Sequence, residues 1–156
     1  MPSLPASPVP APLLSLPAHL RAALPLQGLT VLAVEDSRFA GDALRLMCQR
    51  AGARLRRAET LETARAHLRT YRPDVVIVDL GLPDGRGEAL IRDLVLSARR
   101  PAVILGTSGA EGGRSAALAA GADGFLDKPF ESLAAFCLAL RRHLPDLDVL
   151  PPPGVE

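Results

Sequence analysis

Four groups of polar residues stand in this 156-residue chain where apolar runs stop. Glu35 and Asp36 follow Val31-Leu-Ala-Val34, Asp79 follows Val75-Val-Ile-Val78, Gly106-Thr107-Ser108 follows Val103-Ile-Leu105, and Lys128 comes just after Phe125-Leu126. Three carboxylates brought together repel one another unless a cation joins them, and hard oxygen ligands with room for water suit magnesium. Each group also has a plainer reading: Asp36 as a helix cap, Asp79 as the common Asp beside a turn, Lys128-Pro129 as a turn with a solvated lysine. Their joint placement at the ends of successive apolar runs is what those readings leave unexplained.

The elements that must position these residues follow from hydrophobic period. Strand-length apolar runs alternate with longer helical patterns, the mark of a parallel sheet covered by helices. The strands are expected at Leu29 to Val34, Leu55 to Ala58, Val75 to Val78, Ala102 to Leu105 and Gly124 to Leu126. Val75 to Val78 is continuously apolar, so it belongs at the centre of the sheet. Ser37 is placed to cap a first helix running to Arg50, with Phe39, Ala43, Leu44, Leu46 and Met47 inward and Gly52 ending it. Thr60 caps a second helix whose inward residues are Leu61, Ala64 and Leu68; a third carries Leu90, Ile91, Leu94 and Val95. Ser115 to Ala120 and Leu133 to His143 complete five strands and five helices. In such an open sheet ligands gather where the strands' C-terminal ends emerge, and all four polar groups sit there.

The set resembles the receiver domain of response regulators in two-component signalling, over nearly everything from Leu29 to His143. The pieces that carry the resemblance are Val34-Glu35-Asp36-Ser37, Val78-Asp79-Leu-Gly81-Leu-Pro83-Asp-Gly-Arg-Gly87, and Gly121-Ala-Asp-Gly-Phe125-Leu-Asp-Lys128-Pro129-Phe130. The resemblance implies an α/β, doubly wound five-stranded parallel sheet of flavodoxin-like strand order 2-1-3-4-5. It implies Asp79 as phosphoacceptor, Glu35, Asp36 and Asp79 with the Gly81 carbonyl as Mg2+ ligands, Lys128 as the partner of the phosphoryl group, Phe125 as the switching aromatic, and a cis Lys128-Pro129 bond. The phosphoryl donor it implies is a histidine kinase or histidine phosphotransfer protein. A target protein of unknown identity would read the output, and a homodimer through the face of helix four, strand five and helix five is a further arrangement of the family. Physics supports the roles independently: a carboxylate attacks an anionic phosphoryl group only where charge is neutralised and the reactants are held in line.

The chain departs from that pattern at one place. The phosphoryl-contacting hydroxyl is due at residue 106, counting from Pro101 or back from Lys128, and Gly106 is there instead. One step along a strand reverses the side chain's face. A glycine-permitted bulge that re-aims Thr107 is the expectation, with Ser108 in reserve. The displaced hydroxyl is also the one feature supporting a non-switching pseudo-receiver, and Phe125 has an alternative reading as plain core. A haloacid-dehalogenase-type phosphatase needs a second Asp where Gly81 stands, and no Gly-rich turn after the first strand supports a dinucleotide or flavin.

Composition sets the remaining bounds. Eighteen basic against seventeen acidic side chains argue against a broad nucleic-acid surface. Aromatics at 3% leave Leu, Val, Ile and Ala to build the core. Cys48 and Cys137 each lie in an apolar helical pattern, read as buried free thiols suited to a reducing cytoplasm. No membrane-spanning run or signal peptide is expected. Residues 1–26 read as a Pro-rich extension in which Pro17 to Leu24 fits a two-turn helix, residues 27–145 as the receiver, and 146–156 as a tail. The expectation is a stand-alone phosphoacceptor signalling protein acting by protein contact, not an enzyme.

Overall fold

A computed structural model of the protein describes residues 24–130 and 132–144. The elements are β1 (Thr30–Val34), α1 (Arg38–Ala51), β2 (Arg54–Ala58), α2 (Leu61–Thr70), β3 (Val75–Asp79), α3 (Gly87–Leu96), β4 (Val103–Ser108), α4 (Gly113–Ala120), β5 (Gly124–Asp127) and α5 (Leu133–Arg141). The five strands form one parallel sheet in the order β2-β1-β3-β4-β5. All five residues of β3 are buried, as its unbroken apolar run requires. Alternation along the strands divides the core. Val31, Ala33, Val75, Ile77, Val103 and Leu105 pack with α1 and α5, while Leu32, Val34, Val76, Val78 and Ile104 pack beneath α2, α3 and α4. Each Val, Leu and Ile among them contributes about 1.5 to 3 kcal/mol by leaving water.

Local signals fix the helix ends. Ser37, Thr60 and Ser132 each accept a hydrogen bond from an amide three residues on, and Gly52 closes α1 in the left-handed conformation. The cap at Ser37 also fixes the phase of α1, and here the expected inward stripe is corrected. Ala40, Gly41, Leu44, Cys48 and Ala51 are buried, Ala43 and Met47 are half-buried, and Phe39 and Leu46 face solvent at 82% and 46% exposure. The helix lies close enough to the sheet that small residues line the contact, and the two bulkier ones fall outside it. Leu26, read from the prolines as the end of the extension, is fully buried in the α1/α5 core, and its amide donates to the Ala51 carbonyl at 2.8 Å. The expected helix at Pro17 to Leu24 lies, but for Leu24, outside the described residues, as does the tail. No helix among the described residues is long and apolar enough to cross a membrane.

Candidate functional site

The carboxyl ends of β1, β3, β4 and β5 open on one rim. Glu35 leaves β1 buried at 1% exposure, while Asp36, one residue on, is exposed. Asp79 ends β3 at 5% exposure. One carboxylate oxygen from each of Glu35, Asp36 and Asp79 lies within 4.8 Å of the others. Lys128, from just beyond β5, reaches across to this cluster, its Nζ 2.5 Å from Glu35 Oε1 and 3.2 Å from Asp79 Oδ2. The Ser37 amide donates to Glu35 Oε2 at 3.0 Å and the Gly81 amide to Asp79 Oδ1 at 3.1 Å.

Burial sets the electrostatics. It raises the Glu35 carboxyl above its usual pKa, the Asp79 carboxylate pushes the same way, and Lys128 with the Ser37 amide only partly offsets them. For Lys128 burial works against the charged form, yet Glu35 and Asp79 outweigh it and hold the ammonium's pKa above the ordinary lysine range. One lysine thus meets Glu35 and Asp79, two of the three clustered carboxylates. Glu35 Oε1 meets it without a well-aligned hydrogen bond. An acidic cluster short of positive charge, with an exposed member and a buried oxygen lacking a full partner, fits a hard divalent cation held by Glu35, Asp36 and Asp79.

Glycines fit the backbone to this rim. A Cβ on Gly87 would collide with the Asp79 carbonyl oxygen, so α3 starts directly against the backbone of Asp79 and Leu80. Gly81 is exposed, in a two-residue antiparallel ladder pairing Gly81–Leu82 with Gly85–Arg86. The Lys128-Pro129 bond is cis.

The bulge expected at Gly106 is absent. β4 keeps its register through this point, Gly106 beside Val78 and Phe125, Thr107 beside Asp79 and Leu126. Gly106 serves packing instead: a Cβ there would lie 2.5 Å from the Ala117 Cβ and 3.5 Å from the Phe125 ring. Thr107 is fully buried, and its hydroxyl donates to the Leu126 carbonyl at 2.8 Å. Ser108 is half-buried; its Oγ accepts from the Ala110 amide at 3.0 Å, and its proton has no acceptor among the described residues. Phe125 is buried in the core beneath α4, bordered by Gly106 and Gly113, with the Arg114 guanidinium 5.3 Å from its ring centre.

The residue reading missed two side chains. Arg57 reaches over α1 so closely that a Cβ on Gly41 would lie 2.6 Å from its Nε and Cζ, and Nε donates to the Glu35 carbonyl at 3.1 Å. A glycine inside a helix, costing about 1 kcal/mol relative to Ala, was the available signal. Asp84 caps α2 from across a loop, accepting from the Leu61 and Glu62 amides at 2.8 and 3.0 Å. Beside Lys128, the exposed Phe39 joins Ala43, Pro129 and Phe130 around a hollow of about 420 Å³.

Residues 31–139 match the family model of the response regulator receiver domain. The chain belongs to that family, a phosphoacceptor signalling module of two-component systems. It is 43% identical over 116 residues to the KDP operon transcriptional regulatory protein KdpE of Escherichia coli K12, an alignment covering 72% of this chain and 52% of KdpE. The transcriptional regulatory protein PhoP of the same strain is 37% identical over 120 residues, with the same coverage. The chain thus spans about half the length of the curated relatives it matches. Among solved structures, a response regulator from Chloroflexus aurantiacus superposes with a TM-score of 0.70 at 28% identity, covering 75% of this chain and 98% of that one. The receiver domain of the sensor histidine kinase PA1611 from Pseudomonas aeruginosa, which holds magnesium in its active-site cleft, gives 0.68 at 25% identity, covering 76% and 98%.

Proposed function

We propose that this receiver accepts a phosphoryl group from a phosphohistidine donor onto Asp79, in a reaction that needs Mg2+, and signals by protein contact in the cytoplasm. The observation that carries the reading is Asp79 itself, a nearly buried carboxylate at the rim with Lys128 on Oδ2 and two further carboxylates within 4.8 Å. Glu35, Asp36, Asp79 and the Gly81 carbonyl would hold the cation, which when bound supplies charge neutralisation for the incoming phosphoryl group. The Gly81 amide and Lys128 hold the Asp79 carboxylate in place through its two oxygens. Lys128 places a compact positive charge where negative charge gathers on the transferring group. Ser108, with an uncommitted proton at the rim, supplies the hydroxyl that Gly106 lacks, and Thr107 stays tied to Leu126.

Phe39, Ala43, Pro129 and Phe130 form an apolar shelf beside Lys128, suited to a helix that presents the phosphohistidine. Phe125, already buried, would report phosphorylation through α4, β5 and α5, the face proposed for a target protein or a second copy. Incubation with acetyl phosphate and Mg2+ should add the mass of one phosphoryl group, and Asp79→Asn should abolish the gain. Persistent labelling of that variant overturns the assignment.

A further inference from the structure

Among the described residues the sheet ends on one side at β2, which pairs there only with β1. The Arg54 amide donates inward, to the Leu29 carbonyl at 2.8 Å, so by strand alternation the N–H and C=O of Leu55 point outward from the sheet. A hollow of about 360 Å³ runs along this edge, with Leu55 in its wall. Arg45 and Gln49 of α1 border it, as do Arg54 and Arg56 of β2. All three arginines are exposed, and none forms an ion pair among the described residues. Asp74, the carboxylate reached through Thr30 in the same wall, is already engaged by the Thr30 amide and hydroxyl at 2.9 and 3.0 Å.

We propose that this edge binds an extended acidic polypeptide segment, which adds alongside β2 and places its carboxylates against Arg45, Arg54 and Arg56. The outward main-chain groups of Leu55 supply the pairing, and the guanidiniums supply the selection for negative charge. Arg56 lies over the Tyr71 ring, 4.0 Å from its centre, so it is held in place before any ligand arrives. The same stacking covers that face of the only aromatic ring in the wall, which leaves a nucleic-acid base no platform there and favours a peptide. Like charge on β2 opposes pairing with a second copy of the same strand. The edge is remote from phosphoryl chemistry, since Arg54 opens β2 and the acidic rim lies where the strands end.

The test uses the full chain and a fluorescein-labelled heptapeptide alternating glutamate and valine, read by anisotropy. Saturable binding is expected, weakened about tenfold or more in the Arg54→Glu, Arg56→Glu double variant, whose labelling by acetyl phosphate stays at the wild-type level. The same peptide N-methylated at alternate residues keeps its charge but cannot pair, so it should bind as weakly as to the double variant. Hydrogen exchange at the Leu55 amide should slow when the unmodified peptide is bound. Equal affinity for the N-methylated peptide, no binding at all, tighter binding of a single-stranded oligonucleotide lost in the same variant, or self-association lost in that variant would each overturn the proposal.

Discussion

Gly106 and Ala117 are in such close apposition that a Cβ on residue 106 would lie 2.5 Å from the Ala117 Cβ. α4 therefore rests on β4 at a depth that only a glycine in the strand permits. Restoring the family's hydroxyl with Gly106→Thr should destabilise the fold by about 1 to 3 kcal/mol, the usual cost of overpacking. Urea unfolding measures it, and Ala117→Gly in the same chain should recover part of the loss although glycine alone weakens a helix by about 1 kcal/mol. A Gly106→Thr protein as stable as wild type would show that α4 moves aside without cost.

What the sequence revealed and what it hid have the same physical origin. β3 and Asp79 were legible because burial on both faces demands an unbroken apolar run, and the polar residue ending it marks the rim. The strand-end positions of Glu35, Asp36 and Lys128 were legible for the same reason, although their convergence within a few ångströms depends on strand order. The phase of α1 was not legible. Bulk pointed to Phe39 and Leu46 as well as to Leu44, which is buried, while the cap at Ser37 and a contact lined by small residues turned Ala40, Gly41 and Cys48 inward. Nor were the partners of the Thr107 and Ser108 hydroxyls legible, the Leu126 carbonyl and the Ala110 amide, which are set by tertiary packing and local turn geometry. Proline content suggested an extension through residue 26, but Leu26 is fully buried within the core between α1 and α5.

Acid should loosen the hold of the Asp79 loop on α2. Asp84 accepts two amides at the start of that helix, and these bonds lower its pKa below the ordinary 3.8. A depressed folded pKa means that the stabilisation is present in full above the unfolded value and is lost as pH falls through the folded one. Asp84→Asn should therefore melt below wild type at neutral pH, and the difference should close as pH drops beneath about 3.8. A gap that stays constant down to pH 2 would assign the variant's loss to something other than the charge.

Thiol chemistry offers a probe of the α1/α5 core. Cys48 is fully buried, and burial pushes its pKa up to about 12, with Cys137 adding to the effect. Cys137 is raised as well, again by burial. Because the thiolate is the reactive form, iodoacetamide at pH 8 should modify the folded protein at least about a hundredfold more slowly than the urea-unfolded chain. Rapid modification of Cys48 in the native protein would mean that α1 opens from the sheet far more readily than its packing implies.

Magnesium should stabilise the folded protein through the acidic rim, independently of phosphorylation. Glu35, Asp36 and Asp79 cluster at the rim and Lys128 pairs with only Glu35 and Asp79, so folding brings together more negative charge than Lys128 can neutralise. A cation that binds only the folded state adds RT ln(1 + [L]/Kd), about 1.4 kcal/mol at ten times Kd. Asp36→Asn removes the exposed ligand and one unit of repulsion while leaving the Lys128 contacts intact. It should raise stability without metal, or leave it unchanged, and flatten the response to added Mg2+. Thermal melts of both proteins across a magnesium series, at constant ionic strength to hold screening fixed, give the comparison directly. A response in Asp36→Asn equal to wild type would place the cation elsewhere and remove Asp36 from the ligand set.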